Sequence, residues 1–223
     1  MSKIRAVAFD LDGLMFNTED IYPMALDRTC LGRGAQYGPE LREQMMGRPG
    51  KTALKILIEA LGWETTIEAI QDETDTHLRE LLPLHLATMP GLMELLAALE
   101  AGGLPKVIGT SSRRWFVDTV LAPFSLSDRF HSILSAEDVI NGKPEPEIYL
   151  KAAERMGVAP HEMAVLEDST NGCRAALAAG AVAIAVPNVH TRAFVFPEVH
   201  LMVDSLADPR LYELLGIAHF GVM

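Results

Sequence analysis

The stretch IRAVAFDLDG, residues 4–13, decides the fold of this chain. It begins with a short apolar run that is rich in branched and aromatic residues, as buried strands are. Two carboxylates, Asp10 and Asp12, then follow on a turn that ends at Gly13. Carboxylates are seldom buried unless they are paired, hydrogen-bonded or bound to a cation. At the carboxyl end of a strand, where open α/β sheets bind ligands, the pair predicts a metal site, a nucleophile or both.

Further apolar runs resemble the first one and predict parallel strands that are buried on both faces. They cover residues 106–110, 163–167 and 181–186, with a shorter run at 133–134. Helical patterns that stop at glycine lie between them, at 92–101, 146–156 and 170–179. This alternation predicts a doubly wound α/β core. The weakly patterned chain after residue 188 predicts loop with one short helix.

The segment that follows the first strand has helical periodicity and no convincing strand pattern. Helices are predicted over residues 21–31, 40–46, 52–61 and 67–82. We therefore expect a small all-helical domain over residues 17–85, inserted into a core domain formed by residues 1–16 and 86–223.

The composition limits the possible partners. The chain has 223 residues, 49% of them hydrophobic, and a formal net charge of −11. An acidic chain has no electrostatic footprint for nucleic acid or for an anionic membrane. No signal-peptide layout and no apolar run of about 18 residues is present, so we expect a soluble cytoplasmic protein. We expect a monomer or weak homodimer, with Cys30 and Cys173 reduced and partly buried.

Four polar motifs occur in order along the chain. They are DLDG at 10–13, TSS at 110–112, GKP at 142–144 and ED at 167–168. Each has an ordinary structural interpretation by itself, such as a turn, a helix cap or a solvated lysine. One site at the edge of the sheet accounts for all four together, whereas the ordinary interpretations require four coincidences.

Together these motifs resemble those of the haloacid dehalogenase superfamily of aspartyl-phosphate phosphatases and phosphomutases. The helical insert resembles the cap domain of the β-phosphoglucomutase-like branch, and the stretch from Val186 to Thr191 also recurs at the equivalent place. The resemblance covers nearly the whole chain. It implies a Rossmann-like core, phosphoryl transfer through an aspartyl phosphate, and Mg²⁺ as cofactor.

The residue chemistry supports the same assignment. Phosphate monoesters hydrolyse very slowly, and a carboxylate nucleophile divides the displacement into two easier steps. We assign Asp10 as that nucleophile. Since a carboxylate attacking an anionic phosphoryl group is repelled, a hard cation is required, and Mg²⁺ prefers oxygen ligands such as Asp10 and Asp168. The resemblance adds the backbone carbonyl of Asp12 as a ligand, with Glu167 orienting bound water or acting behind the ligands.

The resemblance also assigns the remaining core residues. Asp12 is the general acid and base, which protonates the leaving oxygen and later deprotonates the attacking water. Thr110 and the backbone N–H groups of Ser111 and Ser112 hold phosphate oxygens. Lys143 neutralises charge on the nucleophile and the transferring group.

Substrate choice is expected to lie in the cap domain, as it does in this branch. Arg48 and Lys51 are two cations on one loop of an acidic protein, and they are candidates for distal anionic or hydroxyl groups of the substrate. The alternative is a solvated connection between helices. Glu19 and Tyr22 follow the first motif and are candidates for contact with the leaving group.

The leading hypothesis is a Mg²⁺-dependent phosphatase that acts on a small phosphorylated metabolite, such as a sugar or polyol phosphate. The alternatives are a phosphomutase of the β-phosphoglucomutase type, a dehalogenase, and a non-catalytic phosphate-binding module. β-Phosphoglucomutases carry His at the position of Tyr22, which favours the phosphatase. Asn17 stands where the family has Asp, which keeps the shape and loses a charge.

Overall fold

The computed structural model describes residues 3–45 and 50–219. The chain divides into two compact units. One combines Met1–Asn17 with Ala87–Met223, and the other is Thr18–Leu86. The chain leaves the first unit after Asn17 and returns to it at Ala87, so the second unit is an insertion.

The first unit is built on a six-stranded parallel sheet with the strand order β3-β2-β1-β4-β5-β6. The strands are β1 (Ala6–Phe9), β2 (Lys106–Gly109), β3 (Ser132–Leu134), β4 (Met163–Glu167), β5 (Val182–Ala185) and β6 (Leu201–Met202). The order reverses at β1, because β2 lies on one side of it and β4 on the other. Ligand sites of open α/β sheets form at such a switch point. The predicted doubly wound fold is confirmed.

Helices occupy most of the chain between the strands. The second unit contains α1 (Thr18–Gly32), α2 (Pro39–Met45), α3 (Gly50–Leu61) and α4 (Ile67–His85). The first unit contains α5 (Leu92–Ala101), α6 (Arg114–Leu121), α7 (Glu147–Met156), α8 (Thr170–Ala178) and α9 (Pro209–Leu215). Among the described residues, none of these helices is both long and apolar enough to cross a membrane.

Register aligns the ends of the central strands. Phe9 pairs with Ile108 of β2 on one side and with Leu166 of β4 on the other. Every residue of β1, β2, β4 and β5 is buried, which is the pattern expected of a parallel sheet covered on both faces. The residues that directly follow β1, β2 and β4 therefore come together at one edge of the sheet.

Strand β6 is the main difference from the sequence-based expectation, which had only loop and a short helix after residue 188. The strand has two residues, and it pairs with β5 through Ile184–Leu201 and Ala185–Met202. Two residues cannot establish a period, and one of the two side chains is exposed. The predicted short helix corresponds to α9.

The helical unit has its own apolar core. Leu26, Cys30, Leu57 and Ile70, from α1, α3 and α4, belong to one buried cluster that also includes Leu41 and Met45 of α2. The Thr29 and Thr74 hydroxyl groups, which lie on α1 and α4, are hydrogen-bonded to each other at 3.1 Å. Each hydroxyl also reaches a carbonyl oxygen one turn earlier, that of Ala25 at 3.1 Å or of Ile70 at 2.8 Å, so neither buried group lacks a partner.

Candidate active site

Strand pairing places the first carboxylate. Asp10 follows β1 directly, and its backbone N–H donates to the carbonyl oxygen of Leu166 at 3.0 Å, continuing the pairing with β4. The next two residues along β4 and its loop are Glu167 and Asp168. All three acidic side chains are buried. The sheet itself therefore brings the first and fourth motifs together.

Asp10, Glu167 and Asp168 form a carboxylate cluster in which one oxygen from each residue lies within 4.8 Å of the others. Burying three carboxylates this close together is unfavourable unless positive charge compensates them. Lys143 supplies one positive charge, which leaves an excess of negative charge. Hard carboxylate oxygens are the ligands that Mg²⁺ prefers, so this donor set fits a divalent cation.

Lys143 lies between two members of this cluster. Its Nζ donates to Asp10 Oδ1 at 2.5 Å, to Glu167 Oε1 at 2.6 Å and to the Gly109 carbonyl oxygen at 2.9 Å. An ammonium group has three donors, and all of them are used. Burial lowers the pKa of Lys143, but the charges of Asp10 and Glu167 outweigh it and raise the pKa above its ordinary value. The side chain is therefore charged, and its position is fixed by three partners.

The environment of Asp10 opposes its ionisation. Burial raises the pKa of this carboxyl group, and the neighbouring charge of Glu167 raises it further, while Lys143 acts in the opposite direction. The balance leaves the Asp10 pKa well above its ordinary value. Added positive charge beside this carboxyl group would favour its ionised form.

Glu167 is held from several directions. Its Oε1 also accepts a hydrogen bond from the Tyr149 hydroxyl at 2.5 Å, and its Oε2 accepts one from Ser169 Oγ at 3.0 Å. Gly172, on the first turn of α8, makes room for this carboxylate. A Cβ atom at that glycine would lie 1.8 Å from Glu167 Cδ. Glu167 is thus a fixed anchor for Lys143.

The side chain of Asp12 faces a different set of partners. Its Oδ2 accepts hydrogen bonds from Ser112 Oγ at 2.5 Å and from Thr110 Oγ1 at 3.3 Å. The Ser112 N–H, which was expected to hold phosphate, donates to Thr110 Oγ1 at 3.0 Å. Ser111 is exposed. The structure thus joins the first and second motifs through Asp12, apart from the carboxylate cluster.

Asp168 is oriented by Asn188, a residue that was not assigned to the site from the sequence. Asn188 Nδ2 donates to Asp168 Oδ2 at 2.8 Å and to the Gly13 carbonyl oxygen at 3.1 Å. Gly13 has a φ of +72°, and a Cβ atom there would lie 2.4 Å from Asp168 Oδ2. The recurring stretch from Val186 to Thr191 was the signal for this loop, but it did not assign a role to the amide.

Comparison with known proteins agrees with this arrangement. The family model described as haloacid dehalogenase-like hydrolase matches residues 7–186. The chain belongs to the haloacid dehalogenase-like hydrolases. The family predicted from the four motifs is confirmed.

Three relatives of this hydrolase are informative. A phosphorylated carbohydrates phosphatase of Thermotoga maritima is 32% identical over 177 residues, which cover 79% of this chain and 82% of the relative. A probable pseudouridine-5'-phosphatase of Drosophila melanogaster is 33% identical over 218 residues, covering 93% and 92%. The crystal structure of CbbY from Rhodobacter sphaeroides in complex with phosphate aligns with a TM-score of 0.82 at 26% identity, covering 92% and 96%.

The remaining candidates of this hydrolase lie in the helical unit. Glu19 and Tyr22 are on α1 and are half-buried, and Lys51 is exposed on α3. Arg48 lies outside the described residues. A role for these four residues in substrate binding stays a prediction.

Asn17, the departure from the family pattern, ends the first part of the core unit. Its Oδ1 accepts a hydrogen bond from the Ala87 N–H at 2.7 Å, and its own N–H donates to the Ala87 carbonyl oxygen at 3.1 Å. An aspartate would also accept the first of these bonds. The two points where the chain leaves and re-enters the core unit are therefore joined by hydrogen bonds between uncharged groups.

Proposed function

We propose that this hydrolase is a Mg²⁺-dependent phosphatase that removes phosphate from a small phosphorylated metabolite through an aspartyl phosphate on Asp10. The observation that carries the proposal is the position of Lys143, bonded to both Asp10 and Glu167 beside a carboxylate cluster that fits a divalent cation. The names of two relatives, a phosphorylated carbohydrates phosphatase and a pseudouridine-5'-phosphatase, support a small phosphorylated substrate.

The reaction has two displacements at phosphorus. In the first, an Asp10 carboxylate oxygen forms a bond to phosphorus while the bond to the leaving oxygen breaks, and Asp12 gives its proton to that oxygen. In the second, water attacks phosphorus and gives a proton to Asp12. Asp10 leaves as a carboxylate, and inorganic phosphate is released. Both residues thus return to their starting states.

Asp12 suits this role because of its separate environment. Thr110 and Ser112 donate to the same oxygen of its carboxyl group, so these two partners of the side chain lie outside the carboxylate cluster. A general acid must reach the leaving oxygen without competing for the cation. We propose that Thr110, Ser111 and Ser112 also contact the phosphoryl oxygens once substrate is bound.

Asp10, Asp168 and the backbone carbonyl of Asp12 would hold Mg²⁺, with Glu167 in the carboxylate cluster behind them. When bound, Mg²⁺ supplies positive charge that offsets the repulsion between the nucleophile and the phosphoryl group. Lys143 contributes its own charge at Asp10 and keeps the carboxylate in one orientation. The raised pKa of Asp10 in the absence of a cation is consistent with this requirement.

We propose a sugar or polyol phosphate as substrate, selected by Glu19, Tyr22, Arg48 and Lys51 of the helical unit. The enzyme would act in the cytoplasm, as a monomer or weak homodimer.

The test is phosphate release from a panel of phosphorylated sugars, polyols and nucleosides, with Mg²⁺ and after chelation. We expect release by wild type only with a divalent cation, and none by Asp10→Asn. Asp128→Asn makes the same change of charge at an exposed position and should keep full activity. Full activity of Asp10→Asn would rule out Asp10 as the nucleophile.

The same panel distinguishes a phosphomutase, which would use the same aspartyl phosphate. Conversion of β-glucose 1-phosphate to glucose 6-phosphate, without release of inorganic phosphate, would replace the phosphatase proposal by that alternative. We expect inorganic phosphate as the product.

A further inference from the structure

Asn188 is only 7% exposed, and its side-chain amide is fully hydrogen-bonded within the protein. Its Nδ2 donates to Asp168 Oδ2 and to the Gly13 carbonyl oxygen. Its Oδ1 accepts from the backbone N–H groups of His190 at 2.8 Å and Thr191 at 3.2 Å. A side-chain amide can donate two hydrogen bonds and accept two, and Asn188 makes all four with protein groups.

The partners fix which end of the amide faces the carboxylate cluster. Asp168 Oδ2 and the Gly13 carbonyl can only accept, so the NH₂ end must face them. The N–H groups of His190 and Thr191 can only donate, so the oxygen must face them. The reversed amide would lose all four hydrogen bonds, which makes this orientation unambiguous.

This amide links three segments just beyond the ends of neighbouring paired strands. Gly13 belongs to the turn after β1, Asp168 to the loop after β4, and Asn188 to the loop after β5. The three are in close contact, because a Cβ atom at Gly13 would lie 2.6 Å from Asn188 Nδ2. A hydrogen bond to one oxygen of the Asp168 carboxylate sets the rotation of the group, and with it the direction of the other oxygen.

We propose that Asn188 is a positioning residue for the cation site. It fixes the position of the Asp168 carboxylate relative to the Asp10–Gly13 turn and so sets the affinity for a divalent cation. The inference rests on the cation site of the proposed function. Partners that orient metal ligands typically change metal affinity or activity by about 10- to 100-fold when they are replaced. A merely structural role would lower the stability of the chain and leave the affinity of the folded protein unchanged.

The test measures Mn²⁺ binding to the full chain directly, by electron paramagnetic resonance of the free ion, without substrate. Asn188→Ala should raise the dissociation constant by about 10- to 100-fold. Val189→Ala, at the exposed neighbouring position, is the matched control and should bind Mn²⁺ as wild type does. Equal affinity of Asn188→Ala and wild type overturns the inference. If wild type itself binds no Mn²⁺, the proposed cation site is wrong, which is a separate and distinguishable result.

Unfolding in urea with a chelator measures the stability of each variant, so that affinities are compared only where the protein is folded. If Asn188→Ala does not fold, Asn188→Ser serves in its place, and its dissociation constant for Mn²⁺ should also rise.

A kinetic readout accompanies the binding measurement. The Mg²⁺ concentration for half-maximal phosphate release should rise, while kcat at saturating Mg²⁺ returns towards the wild-type value. A lower kcat that Mg²⁺ does not restore, with unchanged half-saturation, contradicts positioning of the cation ligand.

Discussion

Tyr149 donates its hydroxyl to Glu167 Oε1, the same carboxylate oxygen that accepts a hydrogen bond from Lys143. The phenol ring lies beneath the lysine, with Nζ 5.0 Å from the ring centroid, and it is fully buried. Burial raises the pKa of Tyr149 well above its ordinary value, and the charge of Glu167 raises it further. The hydroxyl therefore keeps its proton and remains a donor to Glu167.

Tyr149→Phe tests this contact, because it keeps the ring beneath Lys143 and removes only the donor. Losing a hydrogen bond to a charged acceptor should lower the free energy of unfolding by about 2 kcal/mol. A less firmly held Glu167 leaves Lys143 less well placed at Asp10, so we expect kcat to fall about tenfold, which corresponds to about 1.4 kcal/mol in the barrier. KM should change less than kcat. Urea unfolding and steady-state phosphate release measure both effects, and wild-type values in both would contradict them.

Gly172→Ala should destabilise the protein, although alanine favours helix by about 1 kcal/mol over glycine. The added Cβ would lie 1.8 Å from Glu167 Cδ, so the carboxylate or the start of α8 must move. Overpacking costs about 1–3 kcal/mol, and here it also breaks hydrogen bonds of a buried carboxylate, so the clash exceeds the gain in helix propensity. We expect a lower urea midpoint and loss of most activity.

Gly32→Ala is the matched control, because a Cβ atom at that helical glycine meets nothing within 4 Å. It should be neutral or slightly stabilising. Equal midpoints for the two alanine variants would mean that the fit between Gly172 and Glu167 is not required.

The sequence predicted the structural elements that are encoded by continuous runs of residues. The apolar segments at 106–110, 163–167 and 181–186 correspond to β2, β4 and β5, because a strand buried on both faces is a continuous apolar run. The two-residue β6 has no such signal. The acidic motifs were also recognised, since their order along the chain is a property of the sequence.

The sequence could not predict which polar groups would be partners within the site. Thr110 and Ser112 were expected to face phosphate, and their hydroxyl groups also bond to Asp12. Asn188 was not assigned to the site at all. Such contacts depend on the side-chain rotamers and on which loops meet beyond the strand ends. Neither has a repeating pattern along the chain.

Lys143→Met should abolish phosphate release and also destabilise the chain, since the substitution keeps an apolar stem and removes the charge. Asp10 and Glu167 would then be buried beside each other without their shared lysine. Breaking a buried ion pair in this way typically costs about 3–5 kcal/mol, and protonation of Asp10 can offset part of that cost. We therefore expect the free energy of unfolding, measured with a chelator present, to fall by about 3 kcal/mol. Mg²⁺ should restore part of the stability, because it supplies positive charge to the same carboxylates.

Lys151→Met is the control for this prediction. Lys151 pairs with Glu147 at 2.8 Å and donates to the Asp138 carbonyl oxygen at 2.7 Å, with 40% of its side chain exposed, and such a solvated ion pair is worth less than about 1 kcal/mol. Urea unfolding with chelator and with Mg²⁺ compares the two variants. If the free energy of unfolding falls no further for Lys143→Met than for Lys151→Met, Lys143 is not needed to compensate the buried carboxylates.

Glu100 gives the fold a pH dependence that is separate from the site. It accepts hydrogen bonds from Arg129 at 2.7 and 2.8 Å and from Lys106 at 3.0 Å. The Lys106 side chain is only 2% exposed, whereas that of Glu100 is 42% exposed. Chiefly through Arg129, and also through Lys106, the pKa of Glu100 is lowered from 4.5 to about 2.

A carboxyl group whose pKa is lower in the folded state stabilises the fold above its unfolded pKa. That stabilisation is lost as the pH falls from about 4.5 towards about 2, because the folded protein must then take up the proton. Glu100→Gln should therefore lower the free energy of unfolding near neutral pH, by about 1 kcal/mol given the solvent screening of a part-exposed group. Its disadvantage relative to wild type should shrink as the pH falls through this range.

Urea unfolding at a series of pH values measures the difference between wild type and Glu100→Gln. Glu94→Gln, at an exposed position on the same helix α5, is the control and should follow wild type at every pH. Because other carboxyl groups also titrate in acid, only the difference between variant and wild type reports on Glu100. A difference that stays constant from neutral pH to about pH 2 would mean that the contacts with Arg129 and Lys106 do not lower the Glu100 pKa.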